Sequence, residues 1–127
     1  MYDCIIIGCG IIGAAAAYEL SKYRLNVAVL EKGNDVAMGT TRANSAIIHA
    51  GYDPEPGTVM ARLNVEGNRL AAELAGKLDI PYKAVGSLVL AFDETDLGTI
   101  QHLYENGVAN GVPDIRLLSA EETLAME

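Results

Sequence analysis

The spacing Gly8-x-Gly10-x-x-Gly13, placed directly after the run Cys4-Ile5-Ile6-Ile7, constrains this chain more than any other feature. A continuous apolar, β-branched run reads as a parallel strand covered on both faces, and the glycines begin where it stops. Gly8 permits a tight strand-to-helix turn, Gly10 lets backbone approach a bound group with no Cβ between them, and Gly13 lets the next helix pack closely on the strand. The alanine-rich stretch from about Ile11 to Tyr23 supplies that helix, and Ala17 keeps the close contact one turn later. Leu25 to Leu30 reads as a second parallel strand ending at Glu31.

A helix that starts in a glycine turn offers free N–H groups, here those of Ile11 and Ile12, and the positive end of its dipole to an anion. No basic side chain is required. The Glu31 carboxylate, with Lys32 beside it, can accept hydrogen bonds from both hydroxyls of an adenosine ribose and repels a 2′-phosphate. Strand, glycines, helix, second strand and acid occur in the order that holds a dinucleotide pyrophosphate. A purely structural glycine turn or another nucleotide-like ligand is the competing reading, and this unit does not by itself separate FAD from NAD.

At 127 residues with 50% hydrophobic side chains, the chain has core material for one modest domain, which excludes disorder. The net charge of −8 is spread along the chain without a Lys/Arg cluster, which argues against nucleic acid as a partner and against an anionic membrane as the main one. Peripheral membrane association is left open. No run approaches the ~20 apolar residues of a membrane span, and a strand beginning near Tyr2 leaves no room for a signal peptide, so a cytoplasmic location is expected. Cys4 and Cys9 have no His or further Cys nearby and make no metal site; they read as small packing residues.

Beyond Glu31, residues 32–57 are rich in Gly, Thr, Asn, Asp and Pro, and an ordered connection of that length is expected to lie on a ligand. Thr58 caps an expected helix to Leu78 with Val59, Leu63, Leu70, Leu74 and Leu78 on one face. Ser87 to Phe92 reads as a strand, Asp93 to Asn110 as a capped helix ending at Gly111, and Ile115 to Leu118 as a short strand. Ser119 and Glu122 form a capping box that opens a last helix. Two evident parallel strands leave sheet edges unpaired, so the chain reads as an incomplete α/β, doubly wound parallel sheet awaiting the remainder of its polypeptide or a partner subunit.

The segment from Gly39 to Tyr52 decides between dinucleotides through a resemblance. With the glycine fingerprint and Glu31 before it, the segment resembles FAD-dependent oxidoreductases of the D-amino-acid oxidase superfamily. In that superfamily such a stretch follows the pyrophosphate and ribityl chain of FAD and ends beside the flavin ring. The elements Asn44-Ser45, Ile48-His49, Gly51, Pro56-Gly57-Thr58, Ala61, Leu63 and Val65-Glu66-Gly67 are similar to those of L-2-hydroxyglutarate oxidases, and the chain also resembles anaerobic-type glycerol-3-phosphate dehydrogenases. The latter often carry an arginine just after the His-x-Gly element; Tyr52 and Asp53 stand there in this chain.

The resemblance implies a Rossmann-like FAD-binding domain over residues 1–80 and the truncated beginning of an interleaved substrate domain over 81–127. It implies hydride transfer from an anionic secondary alcohol to flavin, first glycerol 3-phosphate to dihydroxyacetone phosphate, with L-2-hydroxyglutarate as the alternative. The electron acceptor is unspecified. A nicotinamide dehydrogenase and a non-catalytic dinucleotide-binding subunit are the rivals from other classes. Thr40, Thr41, Asn44 and Ser45 offer hydrogen bonds to a polyhydroxyl or pyrophosphate chain, and Arg42 can pair with a phosphate. His49, Gly51 and Tyr52 are the flavin-proximal candidates. For His49 three readings stand: lining the flavin pocket, an ordinary hydrogen-bonded histidine, or a base or covalent flavin attachment. His102 lies in a helix and is given no function.

Overall fold

The computed structural model describes residues 1–126. The elements run β1 (Cys4–Ile7), α1 (Ile11–Leu20), β2 (Val27–Leu30), α2 (Val59–Lys77), α3 (Glu94–Asn110) and α4 (Ala120–Leu124). They divide into two compact units, Met1–Ile47 and a second beginning at Ile48.

In the first unit β1 and β2 pair in parallel, with Cys4 opposite Val27 and Ile7 opposite Leu30, and α1 makes the crossover between them. The register is held at one end by Asp3, whose carboxylate accepts the Asn26 N–H at 2.8 Å while its own N–H reaches Asn26 O. Both elements are shorter than expected. α1 stops at Leu20 because the Ser21 hydroxyl turns back to Tyr18 O at 2.7 Å and residues 22 and 23 make tighter turns. β2 starts at Val27 because Leu25 is bonded to Tyr23 in that turn. Along β1, Cys4 and Ile6 are half-buried and Ile5 and Ile7 exposed, so its expected cover on both faces is absent among the described residues.

In the second unit α2 packs against α3. Thr58 caps α2 by accepting the Ala61 N–H at 3.1 Å, Asp93 caps α3 by accepting the Thr95 N–H at 2.8 Å, and the Ser119–Glu122 capping box opens α4. α3 ends at Gly111 with φ +77°, the left-handed stop expected of Asn-Gly. Two expectations need correction. The buried residues of α2 are Ala61 and Ala75, with Val65 and Leu74 half-buried, while Val59, Leu63, Leu70 and Leu78 of the expected face are exposed. The strands expected at 87–92 and 115–118 are not formed; both stretches are irregular. Strand composition alone does not make a strand when no neighbouring backbone is available to pair with it. Ile115 instead reaches Gly107 of α3 with its side chain.

Candidate functional site

The end of β1 turns into α1 through Gly8, which adopts φ +97°. A Cβ on Gly13 would stand 2.0 Å from Gly8 O, so only glycine lets α1 begin this close to the turn. A Cβ on Gly10 would stand 3.1 Å from the Thr41 hydroxyl, which accepts the Ile11 N–H at 2.9 Å. Gly10 caps the helix with no side chain, so the first-turn N–H groups of Ile12 and Gly13 face an opening that an anion can fill. No acidic residue lies in the first turn to oppose it.

This turn is braced from behind. The Glu31 carboxylate accepts the Cys9 N–H at 2.7 Å through one oxygen and the Gly33 N–H at 2.9 Å through the other. Those two backbone donors, Cys9 foremost, hold its carboxyl below the ordinary carboxylate range. The loop after β2 returns to the same residue from the other side, where Ala37 N–H donates to Cys9 O at 3.0 Å. Cys9 is thus held at both its N–H and its carbonyl, which agrees with its reading as a small packing residue.

The result is a groove of about 520 Å³ over the helix N-terminus. It brings together Gly8, Gly10, Ile11, Ile12, Gly13, Thr40, Thr41 and Asn44 from the expected set. Glu31, Lys32, Arg42 and Ser45 do not line it; Glu31 braces the turn through Cys9 and Gly33, and Arg42 lies near Met38 Sδ at 3.8 Å. Asn44 shapes the loop itself, donating to Thr41 O and accepting the Ala46 N–H at 2.7 Å, with Ala46 at φ +57°. A narrow glycine floor, first-turn N–H groups and a hydroxyl rim suit an anionic pyrophosphate, while the Glu31 carboxylate holds the turn from outside the groove.

A model of the FAD dependent oxidoreductase family matches residues 3–127. The chain belongs to this family. FAD is its dinucleotide, and the groove fits that assignment because a Cβ at Gly10 or Gly13 would fill or collapse the cradle. Among relatives, a glycerol 3-phosphate dehydrogenase of Caloramator mitchellensis is 56% identical over 127 residues, covering all of this chain and 26% of that protein. A glycerol 3-phosphate oxidase of Mycoplasma pneumoniae is 41% identical over 98% of this chain and 33% of its own length. The human mitochondrial L-2-hydroxyglutarate dehydrogenase is 38% identical over 95% of this chain and 27% of its own. Dithionite-reduced L-α-glycerophosphate oxidase from Mycoplasma pneumoniae, solved with FAD bound, superposes with a TM-score of 0.80 at 37% identity, covering 98% of this chain and 33% of that one. The chain therefore spans a quarter to a third of the length of these relatives.

The three flavin-proximal candidates lie in the second unit. Gly51 is buried at φ +110°, and a Cβ there would meet the Val65 side chain at 2.6 Å. His49 is exposed; its carbonyl accepts the Asn68 amide at 3.1 Å. Tyr52 is half-buried with its Cβ beside Gly107. Two residues escaped the sequence reading, Asn68 and Asn110, the latter donating to Gly51 O at 2.9 Å and Pro54 O at 2.8 Å. An Asn-Gly pair at a helix end signals only the stop. His102 meets the Asn106 amide at 3.3 Å, a neighbour one turn along α3, in keeping with its lack of an assigned role.

Among the described residues no helix is long and apolar enough to cross a membrane, and no cluster of potential metal ligands occurs.

Proposed function

We propose that this chain is the FAD-binding portion of a flavoprotein that oxidises glycerol 3-phosphate to dihydroxyacetone phosphate. The observation that carries the substrate is the 56% identity, without loss of coverage on this side, to a glycerol 3-phosphate dehydrogenase. Ile12 and Gly13 N–H groups would receive the pyrophosphate, Thr40 and Thr41 would rim it, and Glu31 would take the adenosine ribose hydroxyls. Arg42, Asn44, Ser45 and Lys32 complete the proposed cofactor set from the loop above. FAD, when bound, accepts the hydride released from the alcohol carbon.

The chain's own part is to orient that group and exclude water from it. His49, Gly51 and Tyr52 are proposed to flank the flavin ring, with the missing Cβ of Gly51 letting the loop pack closely on Val65 of α2. Residues 1–80 are read as FAD-binding domain and residues 81–127 as the opening of a substrate domain, although the compact units part between Ile47 and Ile48 and α2 packs on α3. A cytoplasmic location, a small-molecule substrate and completion by further polypeptide belong to the same proposal.

L-2-hydroxyglutarate is the second reading, favoured by Tyr52 and Asp53 where an arginine would meet a substrate phosphate and by the 38% identical human relative. Purified full-length protein assayed with each alcohol and an artificial electron acceptor separates them. A kcat/KM for glycerol 3-phosphate about a hundredfold above that for L-2-hydroxyglutarate is expected, and the reverse ranking overturns the assignment. An absorbance spectrum without flavin bands overturns both.

A further inference from the structure

The loop carrying His49, Gly51 and Tyr52 belongs to no helix or strand, so its carbonyl groups have no ladder to enter. It is nonetheless among the best-buried parts of its unit: Gly51 and Pro54 are buried, as are Ala61 of α2 and Asn106 and Gly107 of α3. Its carbonyls are taken by two side-chain amides. Asn68 of α2 donates to His49 O, and Asn110, the last residue of α3, divides its two amide protons between Gly51 O and Pro54 O. The Asn110 bonds span 59 and 56 residues of sequence. Val65 closes the other side of Gly51.

From this geometry we infer that Asn110 is a positioning residue that sets the His49–Tyr52 loop at the flavin, acting through the Gly51 and Pro54 carbonyls without touching the cofactor itself. The inference rests on the proposed reading that this loop flanks the flavin ring. An asparagine suits the task because its NH2 carries two donors at a fixed angle on a short stem. Aspartate has nearly the same shape but turns both donors into acceptors facing two carbonyl oxygens, which pushes the loop away.

The test uses the full-length, FAD-loaded enzyme. Asn110→Asp is expected to keep stoichiometric FAD, because the α1 cradle is untouched, while shifting the visible flavin band and the flavin reduction potential and lowering kcat about tenfold or more with KM changed far less. Asn110→Gln, which keeps both donors on a longer stem, is expected to recover part of the kcat lost in Asn110→Ala. Ala75→Gly, a change in α2 outside this loop, serves as the stability control and is expected to lower Tm without moving spectrum or potential. If Asn110→Asp does not fold, Asn110→Ala is read by the same measures.

Parent-like spectrum, potential and kcat in the Asn110 variants overturn the inference whatever happens to Tm, as does an equal spectral shift in the Ala75→Gly control. Gly51→Val and His49→Ala distinguish the two levels of failure. If both leave spectrum and potential unchanged, the loop does not flank the flavin and the inference falls with that reading. If they shift and the Asn110 variants do not, the positioning role alone is wrong.

Discussion

Gly13 and Gly10 carry different burdens although they belong to one motif. A methyl at Gly13 drives into the Gly8 carbonyl at 2.0 Å, a backbone clash that only a shift of α1 relieves, whereas a methyl at Gly10 presses on a single hydroxyl at 3.1 Å. Gly13→Ala is therefore expected to destabilise the fold by about 1–3 kcal/mol, seen as a lower denaturation midpoint. Gly10→Ala should unfold close to the parent midpoint and lose flavin on gel filtration; equal midpoints for the two variants would contradict this division. Glu31 gives a pH signature. Its carboxyl is depressed by the Cys9 and Gly33 N–H groups, so the bracing is fully present above the ordinary value of 4.5 and is lost as pH falls through the lower folded value. FAD retention should accordingly be flat at neutral pH and fall in the acid limb, and Glu31→Gln should weaken retention already at neutral pH. A parent whose retention fell between pH 6 and 8 would place the titration elsewhere. Glu31 and Gly13 were legible because the strand, turn and acid that define them are close in sequence. Asn110 was not, because its partners lie more than fifty residues away and nothing local distinguishes it from an ordinary helix stop.

At the level of elements, helices proved far more readable than strands. Thr58, Asp93, Gly111 and the Ser119–Glu122 pair each end or start a helix as their local chemistry dictates, since a cap is satisfied within three or four residues. The stretches at 87–92 and 115–118 have strand composition, yet a strand is a property of two segments and the sequence of one cannot supply the other. The outward turn of Leu63 and Leu70 has a related origin. Periodicity identifies an apolar face, but α2 packs on α3 and its buried residues are the small Ala61 and Ala75. Loss of the cap through Thr58→Ala should cost about 1 kcal/mol, measured by denaturant unfolding, with the flavin spectrum unchanged. A spectral shift in that variant would mean that the α2 N-terminus bears on the cofactor directly.

Over the whole molecule the apolar material exceeds what these residues bury. α1 is apolar on nearly every side yet has no buried residue, and Ile7, Ile12 and Phe92 are each at least 80% exposed. Helices of that composition belong inside larger proteins. Residues 1–127 produced alone should self-associate, bind a hydrophobic dye and show no turnover with either alcohol. Light scattering and an activity assay check this; a monomer turning over at the rate of the full-length enzyme would show that the site is already complete.

The position of the cradle along the chain has a consequence for biosynthesis. Every residue lining the groove precedes Ser45, and β1, α1 and β2 contact one another over short sequence distances. Such contacts form early. At ribosomal speeds of about 5–20 residues per second, the cradle leads the completion of the unit beginning at Ile48 by on the order of ten seconds. FAD can then meet its cradle on the nascent chain before the unit beginning at Ile48 is complete.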